Sequence, residues 1–352
     1  MAFTEIRDKI SAGKRISDEE YGELEKGADL HQLGMLADSV RRRKHPEARV
    51  TYVIDRNINY TDICISACKF CAFFKPPEDK EGYLISFEEL ADKIKETQEH
   101  GGTQVLLQGG LHPDQPFEYY EEMVSFMRAT GIHVHGFSPP EIHHFAEISG
   151  LTIVAVIKRL MDAGLGSIPG GGAEILSDRV RELTAPRKCN SDQWLNVMRQ
   201  AHLLGLRTTA TMMFGHVETA EERLLHLKKL RDLQDETGGF TAFIPWPFQP
   251  DNTVLAHLEK TTAFEYLKML ALSRIYLDNF DNIQASWVTQ GPKVAQLSLF
   301  FGANDFGSTM IEENVVAAAG VSFRLSEQEI RRLVTDAGFT AEQRFMDYTL
   351  VK

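Results

Sequence analysis

Short β-like runs alternate with amphipathic, capped segments from residue 50 to beyond residue 300, and this alternation constrains the fold more than any other property of the chain. The strand candidates are 52–61, 103–108, 133–137, 167–168, 207–214, 240–244, 282–288 and a short run at 300–302. Between them, Ser86-Phe87-Glu88-Glu89, Asn190-Ser191-Asp192-Gln193 and Thr219-Ala220-Glu221-Glu222 carry the cap-x-x-Glu/Gln spacing of a helix start, and Ser326-Glu327-Gln328-Glu329 repeats it further on. Strands separated by helices imply parallel βαβ units. Seven or eight such units with no reversal predict an α/β fold, a (β/α)8 TIM-type barrel. The first fifty residues read as helices, with a capping box at Ser17-Asp18-Glu19-Glu20. The last thirty read as a helix and a tail covering one end of the barrel. The expected organisation is therefore an N-terminal helical extension at 1–50, the barrel at 51–320 and a C-terminal extension at 321–352. A dinucleotide-binding reading fails, because Gly164-Leu165-Gly166-Ser167-Ile168-Pro169 ends on proline and precedes a strand.

Composition excludes several functions. The 352 residues are 43% hydrophobic and 25% charged, enough for a sizeable core. Fifty acidic residues against 38 basic give a net charge of -12, which argues against a nucleic-acid partner. The basic run Arg41-Arg42-Arg43-Lys44 reads as a solvated helix end. No apolar stretch reaches the roughly 18 residues of a membrane span, and the N-terminus lacks a signal-peptide core. A cytoplasmic protein with no membrane partner is expected.

Four cysteines occur, and three of them fall in Cys64-Ile65-Ser66-Ala67-Cys68-Lys69-Phe70-Cys71, directly after the first strand candidate. Structural zinc usually takes two separated ligand pairs, and no second pair is present. Iron–sulfur clusters are held by cysteine thiolates, normally four. Three thiolates leave one iron open to a substrate or cofactor, at the barrel end where active sites of this fold lie. A zinc-stabilised binding scaffold is the alternative. Cys189 stands apart and reads as a small apolar residue.

The CxxxCxxC loop, with an aromatic before its third cysteine and a strand ahead of it, resembles the signature of the radical S-adenosylmethionine (radical SAM) superfamily. The resemblance implies a [4Fe-4S] cluster on Cys64, Cys68 and Cys71 with S-adenosyl-L-methionine at the open iron. It also implies reductive cleavage to a 5′-deoxyadenosyl radical that takes hydrogen from the substrate. Gln108-Gly109-Gly110 ends the second strand where the superfamily carries a Gly-Gly motif near the methionyl amine, although Leu111 stands where an acidic residue often follows. Phe70 matches the aromatic beside the adenine. Glu174, after Gly170-Gly171-Gly172-Ala173, fits the polar residue on the ribose hydroxyls, with a helix-start carboxylate as its structural alternative. Lys188 suits the methionyl carboxylate or an exposed surface, and Ser138 is a further cofactor candidate.

Longer stretches narrow the resemblance to the futalosine-pathway and deazaflavin-cofactor branch. They are Asp55-Arg56-Asn57-Ile58-Asn59-Tyr60-Thr61, His135-Gly136-Phe137-Ser138-Pro139-Pro140-Glu141, Met213-Phe214-Gly215-His216-Val217-Glu218, Ile244-Pro245-Trp246-Pro247-Phe248-Gln249-Pro250 and Gly302-Ala303-Asn304-Asp305-Phe306-Gly307. What this implies is an oxidoreductase of menaquinone biosynthesis acting on dehypoxanthine futalosine. The radical takes the ribose C4′ hydrogen, and the sugar radical adds to the benzoate ring. Formation of aminofutalosine or of the deazaflavin cofactor is the alternative within the branch. A flavodoxin or ferredoxin would supply the electron. Asn57, Asn59, Trp246 and Asn304 are the candidate substrate contacts. His135, His216 and Asp305 are the candidates for holding ribose or accepting the final proton, each with ordinary packing as its alternative.

Overall fold

In the computed structural model, which describes residues 3–352, ten strands follow one another in the order the alternation predicts. They are β1 (Arg49–Val53), β2 (Asp55–Asn59), β3 (Gln104–Gln108), β4 (His133–Gly136), β5 (Leu165–Ile168), β6 (Arg207–Phe214), β7 (Phe240–Pro247), β8 (Asn282–Ile283), β9 (Asp305–Ser308) and β10 (Thr340–Gln343). Strands β2 to β8 form one parallel sheet in chain order. The sheet curls until its edges meet through β9. On one side Asn304 N–H reaches the Ile283 carbonyl at 3.1 Å and Ala285 N–H the Asp305 carbonyl at 2.9 Å. On the other, Thr309 N–H bonds to the Val53 carbonyl at 2.9 Å and Ile311 N–H to that of Asp55 at 3.1 Å. With β1 and β2 counted as one interrupted strand, the barrel is a closed (β/α)8 TIM-type barrel, and its helices form the outer ring.

Two expected strands move. Residues 300–302 form no strand: Phe300 and Phe301 donate to the carbonyls of Leu297 and Ser298, so they prolong a helical end that Gly302 terminates at φ +104°. The Phe-Phe pair has β-like composition, but local hydrogen bonding to the preceding turn wins. The 282–288 run keeps only two strand residues because Trp287–Ser298 begins a helix. In return β7 extends through Pro245 and Pro247. Those prolines are tolerated because β8 pairs only with Ala242 and Phe243, leaving that part of the β7 edge without a strand partner.

The N-terminal helices Phe3–Ser11, Asp18–Gly27 and Leu30–Lys44 lie against the outside of the ring. Tyr276 Oη bonds to Asp18 at 2.5 Å and Arg231 to the Ile16 carbonyl at 3.1 Å. The basic run is not uniformly solvated: Arg41 is buried, pairs with Asp38 and stacks 4.7 Å from the Phe339 ring. Its neighbours Arg42 and Arg43 are exposed. At the barrel's N-terminal end the tail crosses beneath, with β10 parallel to β1 and Arg344 N–H on the Tyr52 carbonyl at 2.9 Å. Small residues along the inner wall, among them Gly170, Gly171, Thr209, Thr211 and Ala285, leave the interior open as a cavity of about 280 Å³. No helix among the described residues is long and apolar enough to cross a membrane.

Candidate active site

The chain leaves the barrel at Thr61 with every residue of β2 buried, so the loop that follows starts from a fixed point. Four backbone bonds pin that loop to its surroundings. Gly110 N–H reaches the Thr61 carbonyl at 2.9 Å, Ile65 N–H that of Leu111 at 3.0 Å, Lys69 N–H that of Thr184 at 2.8 Å and Val254 N–H that of Lys69 at 3.0 Å. Within the loop Cys68 is buried, and Cys64 and Cys71 are half-buried. Ser66 serves two sulfurs, its N–H lying 3.4 Å from Cys64 Sγ and its hydroxyl 3.3 Å from Cys68 Sγ. Ala67 takes a left-handed φ of +47°, a conformation a non-glycine adopts only where its surroundings impose it. Burial pushes the Cys68 thiol up to about 11 and raises that of Cys71, so metal binding here releases protons.

This donor set fits an iron–sulfur cluster. Three thiols on one short loop would suit the separate irons of a cubane, whereas a single ion needs its ligands to converge. Among the described residues no three His, Cys, Asp or Glu side chains gather as a single-ion site. Cys189 supplies no fourth ligand: it is buried with its carbonyl and sulfur on the Arg181 guanidinium.

Beside the loop, Gly109 and Gly110 have a packing reason of their own. A Cβ on Gly110 would lie 2.1 Å from the Ile63 carbonyl oxygen, and one on Gly109 would lie 2.5 Å from the Tyr60 ring. Their missing side chains let the turn after β3 touch the cysteine loop. Gln108 lines the cavity just below. Ser138 is committed elsewhere: its N–H and hydroxyl both meet Glu141, at 2.7 and 2.5 Å, as a helix capping box. Glu141 also takes Tyr60 Oη at 2.7 Å and Gly109 N–H at 3.0 Å, which ties the helix start to the mouth. The structure therefore gives Ser138 a structural duty at the start of this helix.

Phe70, Glu174 and Lys188, far apart in sequence, meet at the mouth. Lys188 Nζ lies 3.1 Å from Glu174 Oε1 and 5.0 Å from the centre of the Phe70 ring. Burial alone would lower the lysine's proton affinity, but Cys68 and Glu174 outweigh it and raise the value. Lys188 is thus no surface residue. Nor is Glu174 a helix-start carboxylate: it sits at φ +41°, with the next helix beginning at Asp178. Arg181 stands 3.6 Å from its other oxygen, and a carboxylate so placed keeps free lone pairs for hydroxyl donors.

Of the remaining candidates, Asn57, His135 and Trp246 line the cavity. Asn59 sits above Asn57 at the mouth, its amide 3.4 Å from the Gln108 carbonyl. His135 Nδ1 is 2.7 Å from Ser167 Oγ, and burial pushes its pKa down to about 3, so the ring is neutral. His216 lies one layer back against Phe248, its Nε2 on the Met213 carbonyl at 3.0 Å. Burial holds it low as well, with Glu218 acting in the opposite sense. Asn304 and Asp305 are not part of this group. Asn304 binds Arg274, Asn282 and the Ile283 N–H, and Asp305 binds Thr51 and Arg344, all at the N-terminal end of the barrel opposite the cysteines. These bonds give both side chains a structural duty at that end, away from the cysteine loop. The cavity also recruits Gln104, Thr209, Thr211, Gln284 and Glu313. Strand alternation would have found the first three, since residues two apart share a face.

A closed barrel with a three-cysteine loop over its C-terminal mouth defines a class of cluster-bearing barrel enzymes. The radical SAM superfamily model matches residues 58–230, and a CofH/MqnC C-terminal region model matches residues 237–352. The "cyclic dehypoxanthine futalosine synthase" of Halalkalibacterium halodurans is 44% identical over 100% of this chain and 96% of its own length. The "5-amino-6-(D-ribitylamino)uracil--L-tyrosine 4-hydroxyphenyl transferase" of Archaeoglobus fulgidus is 43% identical over 90% of this chain and 92% of its own. The FeFe-hydrogenase maturase HydG from Carboxydothermus hydrogenoformans shares the fold, with a TM-score of 0.79 at 20% identity over 98% of this chain and 80% of that one. The chain belongs to the radical SAM superfamily, in its CofH/MqnC branch.

Proposed function

We propose that this chain is a radical SAM cyclase that converts dehypoxanthine futalosine to its cyclic product in menaquinone biosynthesis, in the cytoplasm. The observation that carries the reading is end-to-end likeness to the synthase of H. halodurans, which spans both the cysteine loop and the tail. A [4Fe-4S] cluster with S-adenosylmethionine at its open iron supplies, when bound, a 5′-deoxyadenosyl radical for hydrogen abstraction. Cys64, Cys68 and Cys71 would hold the cluster. Lys188 and the turn at Gly109-Gly110 would take the methionyl end, Phe70 the adenine and Glu174 the ribose diol. An acidic electron carrier such as flavodoxin or ferredoxin would deliver the electron.

The chain's own task is positioning and exclusion of water. The cavity wall of Ile244, Trp246 and Val288 suits the substrate's aromatic ring, and Asn57 with the neutral His135 suits ribose hydroxyls. Kept unprotonated, His135 has Nε2 open to a hydrogen bond and does not place a charge beside a sugar radical. Anaerobically reconstituted protein should turn over dehypoxanthine futalosine and consume S-adenosylmethionine. The likeness to the A. fulgidus transferase supports a second reading, chemistry on another branch substrate. Side-by-side assays with the substrates of aminofutalosine and deazaflavin-cofactor synthesis separate the two, and robust activity on one of those alone would sink the first.

A further inference from the structure

The cavity is deep. Asp55 pairs with Gln104 at its lower level and Asn59 with Gln108 at its mouth, four residues apart on the same strands, or roughly 13 Å along a strand. Most of its wall is apolar, built from Leu106, Ile244, Trp246, Val288 and Val316 among others. Of the residues lining it, Arg344 alone carries a permanent positive charge. It is buried and comes from the tail, beyond the last barrel strand.

A guanidinium has five N–H groups. In Arg344, Nε donates to Asp305 Oδ2 at 2.5 Å, Nη2 to Asp305 Oδ1 at 3.1 Å and Nη1 to the Phe345 carbonyl at 3.2 Å. One N–H on each terminal nitrogen remains without a partner among the described residues. Two parallel N–H groups on the outer edge are the fork that a carboxylate meets end-on. Tyr348 lies 4.0 Å from the guanidinium carbon, over its ring face, and fixes the plane of that fork. Asp305 offsets the charge from one side only, and burial holds the nearby Asp55 toward its neutral form.

We infer that Arg344 is a substrate-anchoring residue, the floor fork that receives a carboxylate carried on an aromatic body whose other end reaches the mouth. Assigning that carboxylate to the benzoate of dehypoxanthine futalosine rests on the proposed function. The fork then sets the depth of the substrate, and so which sugar carbon stands beneath the cysteine loop. The tail is thereby part of the binding site.

The test compares dehypoxanthine futalosine with its analogue bearing a ring carboxamide, in wild type, Arg344→Gln and Arg344→Lys. Wild type should prefer the acid by about 30-fold in kcat/KM, the scale of a charge-assisted pair. Arg344→Gln should erase most of that preference, chiefly through KM. Arg344→Lys, which keeps the ion pair with Asp305 and the fold, should erase part of it because an ammonium offers no fork. A parallel calorimetric titration with sodium benzoate needs no turnover: wild type should bind it at least about tenfold more tightly than Arg344→Gln. Equal falls on acid and amide with the ratio unchanged, or equal benzoate affinity in wild type and both variants, would overturn the inference. If wild type turns over neither nucleoside but benzoate binding still depends on Arg344, the futalosine reading fails and the anchor stands.

Discussion

Gly110 shows how one missing atom can set a site. The backbone oxygen of Ile63 occupies the place a Cβ would take, and backbone cannot yield as a flexible side chain does. Gly110→Ala should cost about 1–3 kcal/mol in urea denaturation and also lower the iron bound after reconstitution. Gly22→Ala, in the helix Asp18–Gly27 with nothing within 4 Å of the new methyl, should instead stabilise by about 0.5–1 kcal/mol. The cysteines separate in the same way. Replacing Cys64, Cys68 or Cys71 by Ala should abolish iron and sulfide binding, whereas Cys189→Ala should keep both at a cost of about 1 kcal/mol. The cysteine spacing made this division legible in the sequence. What was not legible was the partner of each isolated polar residue. Asn304 and Asp305 have the right chemistry for a site, but their partners Arg274 and Arg344 come from spacings that no local pattern encodes, whereas the partner of Ser138, Glu141, stands at the cap-x-x-Glu spacing and was there to be read.

Elements were easier to read than their ends. The capping boxes at Asn190, Thr219 and Ser326 form as their spacing predicts, because both bonds of each box are made within one turn. Strand limits failed where tertiary context decides, as in β7, whose prolines survive only beside a strand too short to demand their missing N–H groups. The helix Ala220–Thr237 carries a measurable consequence of burial. His226 is fully buried and its pKa is pushed down to about 3. The unfolded chain therefore binds a proton below about pH 6.5 that the folded one refuses, so stability is lost as pH falls through that window. Between pH 7.5 and 5, wild type should lose about 2 kcal/mol more than His226→Gln does in urea titrations at the two pH values.

On the scale of the whole molecule, the barrel is bounded by the chain's own extensions. Arg15 bridges Asp235 and Asp278 from the N-terminal side, and the tail strand β10 pairs with β1 below. We propose that the extensions and the barrel form one cooperative unit, and calorimetry should show a single transition with no separate melting of residues 1–50. The order of strands was legible because each βαβ unit is local. The plug beneath the barrel was not, since it joins residues 51 and 344 through Asp305, across most of the chain. The four backbone bonds that pin the cysteine loop are made by the protein alone, to neighbours that lie outside the loop. The loop is accordingly a socket set into the wall around it. Stripping the iron with a chelator should then leave the far-ultraviolet circular dichroism of the protein unchanged and the loop ready to be refilled.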